Sequence, residues 1–365
     1  MPRILFIASH RMGRAPGQRF RFEQYFDHLE RNGFSCELSH LVSEADDRVL
    51  YRKGHYLSKA RFVQRCIARR MEDVRRMNAF DIIFIFREAL MTRSTRFEKA
   101  FRRSRAKLVF DFDDAIWLQN VSAANKAWSW MKDPGKTSRL IASSDLVFAG
   151  NAYLADYARG FNPAVEVVPT TIDTEEYQPR AERREGPVCI GWSGSITTIQ
   201  HFQYAIPALK AIRERFGERV TFRVIGDGSY RGPELGIEGL PWRRETELDD
   251  LRAMDIGIMP LPDDEWARGK CGLKGLQYMA LGIPTLMSPV GVNAEIVQDG
   301  ANGYLPRTTD EWVQRLSLLV EDADLRGRLG QAARRTVEER YSVHAWRDRY
   351  IHLFNNLLAP HGDRH

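Results

Sequence analysis

The chain has 365 residues, 43% hydrophobic and 28% charged, with a formal net charge of +6. That length exceeds one ordinary core and predicts two domains, and the composition excludes disordered, collagen-like and disulfide-stapled chains. Four scattered cysteines (Cys36, Cys66, Cys189, Cys271) without a CxxC pair predict reduced thiols and no zinc site.

Short apolar runs alternate with longer amphipathic stretches. In the first half, strands are expected at Arg3–Ala8, Ser35–Leu41, Asp81–Phe86, Lys107–Asp111, Leu146–Gly150 and Val165–Val168. Helices are expected between them at Phe20–Asn32, Lys59–Met77, Ser94–Ser104, Ala124–Ser143 and Ala152–Gly160. The apolar runs lack strict period two, which predicts parallel strands covered on both faces. The polar, Pro-bounded stretch 171–187 predicts a linker between an N-terminal domain over 1–170 and a C-terminal one over 188–341.

The second half repeats the alternation. Strands are expected at Val188–Trp192, Thr221–Ile225, Pro241–Arg243, Ile256–Met259, Thr285–Met287 and Tyr304–Leu305. Helices are expected at His201–Phe216, Glu247–Arg252, Leu273–Leu281, Asn293–Gln298, Thr309–Glu321 and Ala323–Tyr341. The tail 342–365 predicts one further amphipathic helix. The fold class expected is α/β, with two Rossmann-like doubly wound domains facing a cleft at the carboxyl ends of both sheets.

Charge is uneven along the chain. Between Arg48 and Arg76 there are ten Lys/Arg and two acids, Glu72 and Asp73, and a second basic cluster runs from Lys99 to Lys107. The first cluster is interleaved with Tyr51, Tyr56, Leu57, Phe62, Val63 and Ile67. A solvated helix face and an anionic membrane surface both fit that pattern. Nucleic acid does not, since no recognition motif accompanies the charge. No apolar run approaches the ~20 residues of a membrane span, and a cytoplasmic protein, peripheral on the inner membrane face, is expected.

The segment from Lys270 to Gly303 carries the most chemistry. It predicts two adjacent helix N-termini, where free N–H groups and the helix dipole favour a phosphorylated ligand. Lys270 and Lys274 add positive charge there, and the alternative is two surface lysines at a helix start. Gly291, Val292 and Asn293 form the second loop, and Glu295 follows in the next helical turn. In the first half, Asp113 and Asp114 follow a strand, so their carboxylates are expected at the cleft. A metal site, an acceptor-orienting or proton-accepting pair, and a helix cap compete for them. The first loop carries Gly13 and Gly17, which allow close backbone approach, and Arg19 or Arg21, candidates for contact with a ligand phosphate. His10 in that loop is expected to be structural.

Five segments of the second half, GWSGS (Gly191–Ser195), VIGDG (Val224–Gly228), DIGIMPL (Asp255–Leu261), QYMALGIPTL (Gln277–Leu286) and GVNAEIVQDGANGYL (Gly291–Leu305), resemble in order and spacing the donor domain of retaining GT-B glycosyltransferases of the family 4 type. GNAYLADY (Gly150–Tyr157) and VEVVPTTID (Val165–Asp173) resemble that family's end-of-domain signature. The resemblance implies a donor pocket that includes Gly194, Ser195, Gly226, Asp227, Lys270, Lys274, Gly291, Val292, Asn293 and Glu295. The family's two glutamates eight residues apart fall here at Gly269 and Gln277, and its usual Arg and Lys in the first donor loop fall at Ser195 and Gln200. Lys270 and Lys274 are expected to supply the missing charge, and Gln277 to hydrogen-bond the ribose. The family's C-terminal helix crosses back onto the first domain.

The expected function is transfer of a sugar from a nucleotide-diphosphate donor to an acceptor hydroxyl in synthesis of a cell-surface polysaccharide or lipid-linked oligosaccharide. Retention is implied by the resemblance alone. No cofactor and no metal are expected, because lysines would stabilise the leaving diphosphate. Another GT-B activity, such as a nucleotide-sugar epimerase, and a non-catalytic nucleotide-sugar-binding subunit are the alternatives.

Overall fold

The computed structural model describes residues 1–50, 56–118, 133–182 and 185–359. Tyr51 of the first basic cluster and residues 124–132 of an expected helix lie outside the described residues. Arg48 and Tyr56 are described by their backbone alone.

The chain divides into two compact units, Met1–Pro169 with Arg347–His365, and Thr170–Trp346. The first is built on six strands: β1 (Arg3–Ile7), β2 (Ser35–Ser39), β3 (Ile82–Phe86), β4 (Lys107–Phe112), β5 (Leu146–Ala149) and β6 (Val165–Val167). Their order is β2-β1-β3-β4-β5-β6, and every pair is parallel. All five residues of β3, IIFIF, are buried. A parallel strand covered on both faces has no solvent side, which is why the run is continuous rather than alternating.

Aromatic rings fill this core. Phe6 lies 5.0 Å from Phe84 and 5.2 Å from Phe22 between ring centroids. The C-terminal helix Val343–Leu358 supplies Tyr350, stacked on Tyr25 at 4.1 Å, and Phe354, edge-on to Phe84 at 6.3 Å. The Tyr350 hydroxyl donates to the carbonyl of Arg21.

The second unit has a five-stranded sheet and a short ribbon. Its strands are β7 (Val188–Ser193), β8 (Val220–Gly226), β9 (Arg231–Gly232), β10 (Ile237–Glu238), β11 (Leu240–Pro241), β12 (Ile256–Met259) and β13 (Thr285–Met287). The sheet runs β11-β8-β7-β12-β13, all parallel, while β9 and β10 pair antiparallel beside it. Trp192, Phe202, Leu209, Ile212 and Ile256 anchor its core.

Several elements differ from expectation. The first helix begins at Pro16, whose fixed φ suits a first helical turn. It ends at Arg21, because Phe22 at φ −141° breaks it before a 3-10 turn and a second helix at Phe26–Arg31. Tyr304 makes a single bridge to Leu286 rather than a strand. The stretch expected to be a linker is packed instead: Thr171, Ile172 and Tyr177 are fully buried. Ile172 bridges to Ser342, so the run is tied into the second unit by backbone bonds its polar composition does not reveal.

Candidate active site

In a doubly wound sheet, ligands bind beyond the carboxyl ends of the strands where the strand order reverses. In the second unit that point lies between β7 and β12, both hydrogen-bonded neighbours in the sheet. The turns after β7 and β8 meet beside it. The Gly194 amide donates to the carbonyl of Ile225 at 2.9 Å. Gly226 has φ 126°, and a methyl group on it would overlap the carbonyl of Gly194. Ser195 is exposed, and its amide donates to the Thr198 hydroxyl at 2.9 Å.

Lys274 stands in the first turn of the helix Leu273–Ala280. Its ammonium lies 5.7 Å from the ring centroid of Trp192, the same ring that a methyl on Gly194 would strike. Lys274 and the Gly194 turn are thus brought to one place. The Lys270 ammonium lies over the Trp266 ring at 4.7 Å.

The two expected loop-to-helix junctions are adjacent. Gly272 caps the helix start at φ 71°, and an added methyl there would overlap the tip of Ile296 and lie 3.5 Å from Val292. A methyl on Gly291 would crowd the carbonyl of Arg268 at 2.7 Å. Asn293 is fully buried and donates to the Ser288 carbonyl at 3.0 Å. Glu295 is exposed on the short turn Asn293–Ile296, and its charge is felt at Tyr341, whose pKa is raised mainly by burial.

One expectation for this unit is corrected. Gln277 is buried, and its amide donates to the Tyr177 hydroxyl at 3.1 Å and to Glu247 at 3.2 Å. Glu247 also accepts from Tyr177 at 3.0 Å and from the Trp242 indole at 3.0 Å. The ribose contact expected of Gln277 is replaced by an internal network that satisfies buried polar groups. Asp227 accepts from the amide and hydroxyl of Ser229 at 2.8 and 2.6 Å, so its carboxylate shapes its own turn.

In the first unit the order reverses between β1 and β3. A methyl on Gly17 would lie 2.9 Å from the Phe86 ring and 3.0 Å from the Asp113 carboxylate, so glycine lets the first helix approach the end of β4. Asp113 and Asp114 cap no helix among the described residues. Both face Arg87, at 2.7 and 3.3 Å. Arg87 is the one non-glycine residue with positive φ, 62°, among those described. Nothing in the spacing of a single sequence marks it as their partner.

The other first-loop residues named from the sequence make contacts within the first unit. The Gly13 amide donates to Glu23 at 2.8 Å. Arg19 is buried over the Phe20 ring, beside Glu23. Arg21 is buried too: its guanidinium pairs with the fully buried Asp111 and donates to the carbonyl of Val168. Neither arginine presents its charge outward, which corrects the phosphate contact expected of them. His10 exchanges backbone hydrogen bonds with the Gln18 side chain, both 2.8 Å. Burial, with Arg14, Arg11 and Arg87 nearby, holds its pKa below the ordinary value against the pull of Asp47.

With this geometry, residues 187–322 match the family model of the glycosyl transferases group 1. The matched stretch lies within the second unit. Every loop described above for that unit falls within it. The chain is 26% identical over 247 residues to the sulfoquinovosyl transferase SQD2 of Arabidopsis thaliana, covering 58% of this chain and 46% of the relative. It is 26% identical over 226 residues to a D-inositol 3-phosphate glycosyltransferase of Nocardia farcinica, covering 53% and 49%. The chain spans about half the length of the curated relatives it matches.

Solved structures match over nearly its whole length. A glycosyltransferase from Rickettsia africae superposes with TM-score 0.67 at 12% identity, covering 98% of each chain. A sucrose-phosphate synthase from Thermosynechococcus elongatus gives 0.68 at 14%, covering 98% and 99%. HepE of Anabaena, solved with UDP and glucose, gives 0.66 at 15%, covering 96% and 99%. The fold is GT-B.

Proposed function

We propose that this protein is a glycosyltransferase that moves a hexosyl group from a nucleotide-diphosphate sugar to an acceptor hydroxyl. The observation that carries the reading is the meeting of Lys274, Trp192 and the Gly194–Gly226 turns at the switch point of a glycosyl transferases group 1 domain. Sugar transfer leaves a nucleotide diphosphate whose growing negative charge must be stabilised. Lys274 and the N-terminal amides of the helix Leu273–Ala280 supply that here, with Lys270 close in sequence. The phosphates lie against the Gly194–Ser195 turn, whose own amides are held by Ile225 and Thr198. Glu295, exposed on the turn Asn293–Ile296, accepts hydrogen bonds from sugar or ribose hydroxyls.

HepE is solved with UDP-glucose, which puts uridine donors first. The acceptor we propose is a glycan or lipid-linked carrier, made for the cell surface at an anionic membrane. Asp113 or Asp114 orients the acceptor hydroxyl or takes its proton. No metal enters the proposal. Transfer that survives a chelator is the expected result, and loss with rescue by a divalent ion would overturn that part.

The test is a thermal-shift panel of UDP, GDP and ADP with their sugars, on native protein and on Lys270→Ala/Lys274→Ala. A diphosphate that stabilises the native protein alone supports the donor site, since stabilisation scales with ligand over its dissociation constant. No shift with any nucleotide would sink the reading.

A further inference from the structure

The helix Tyr56–Arg76 buries a side that mixes apolar and charged residues and leaves several apolar residues exposed on the other. Phe62, Cys66, Arg70 and Asp73 are buried. The Arg70 guanidinium donates to the carbonyls of Ala8, Ser39 and Ala89 and pairs with Asp73 at 2.8 Å. It therefore binds the helix to the ends of three strands. The outward side carries Leu57, Val63, Ile67 and Met71, which are 79%, 39%, 39% and 44% exposed. Val63, Ile67 and Met71 are four residues apart and stack along one line. Exposed Arg61 and Arg75 lie alongside. The helix Arg96–Phe101 packs against this one, and around it Arg93, Arg96, Lys99 and Arg103 are exposed. The two basic clusters of the sequence are thus neighbours in space. Of the helix's two acids, Glu72 alone is exposed.

We propose that this outward face of Tyr56–Arg76 is a docking surface for an anionic lipid bilayer. An apolar stripe flanked by arginines enters the acyl boundary while the cations meet lipid phosphates, each worth about 1 kcal/mol near such a surface. A second copy of this chain fits less well, because a two-fold contact would set the same arginines against each other. The purpose of the surface, reaching a lipid-linked acceptor, rests on the function proposed above; the binding itself does not.

The experiment is vesicle flotation of the full chain, with phosphatidylcholine alone and mixed with phosphatidylglycerol. The native protein floats with the mixed vesicles only. Arg61→Gln/Arg75→Gln binds them more weakly, about fivefold for each charge removed, and Ile67→Glu/Met71→Glu does not float. Both variants change exposed side chains, so melting temperature and nucleotide shift stay native. Failure of the native protein to float, or variants that float like it, would overturn the proposal. A concentration-dependent dimer abolished by Ile67→Glu would also overturn it, assigning the face to self-association. If lipid binding holds while nucleotides produce no shift, the transferase reading fails and this surface stands.

Discussion

Arg87 reaches Asp113 at 2.7 Å from a backbone conformation that L-residues avoid, φ 62°. The same side chain is 3.3 Å from Asp114. Strain of this kind persists where surrounding structure over-determines it, and it clusters at functional sites. Arg87→Gly and Arg87→Ala both lose the two ion pairs, but glycine alone takes this φ without cost. The alanine variant should be less stable than the glycine variant by about 1 kcal/mol, read as a difference in urea midpoint. Both should lose sugar transfer while keeping the nucleotide shift. Equal stability of the two would mean the strain is absent.

Gly226 permits the contact between the two donor-side turns. Gly226→Ala combines φ 126° with a methyl that meets the Gly194 carbonyl. A cost of about 2 kcal/mol or more is expected, with loss of the diphosphate-induced thermal shift. A variant that keeps the full shift would remove this turn from the site.

Gln277 separates a structural role from a binding one. Gln277→Ala breaks hydrogen bonds to Tyr177 and Glu247 inside the second unit. It should destabilise by about 1–3 kcal/mol and leave nucleotide affinity near native. A selective loss of nucleotide binding at unchanged stability would restore the ribose role.

Acidification should weaken the fold through two histidines. Burial, with nearby arginines, holds His10 and His40 below the ordinary value of 6.5. The unfolded chain takes up their protons first, so stability is full above about pH 6.5 and falls as pH drops through that value. The melting temperature should decline from about pH 7.5 to about pH 5.5, and His10→Gln/His40→Gln should flatten that slope. An unchanged slope would place the acid sensitivity elsewhere.

Most strands are readable from the chain because parallel strands buried on both faces must be apolar throughout, as Ile82–Phe86 is. Glycine turns beside them point to the second unit's site for a similar reason, since close backbone approach leaves no room for a side chain. What is not readable depends on distant partners. Tyr177 sits in a polar run and captures Gln277, 100 residues away. Arg87 meets Asp113 across 26 residues. The break at Phe22 interrupts a helical pattern that is continuous in sequence.

The chain leaves its first unit after Pro169 and returns to it at Arg347. During synthesis, the N-terminal sheet emerges long before Tyr350 and Phe354, the rings that close its aromatic core. The second unit is complete in sequence before that closure, so birth order and maturation order are inverted. A nascent chain stalled before residue 350 would expose Tyr25 and Phe84 to chaperones, and the last helix would act as the latch that releases it.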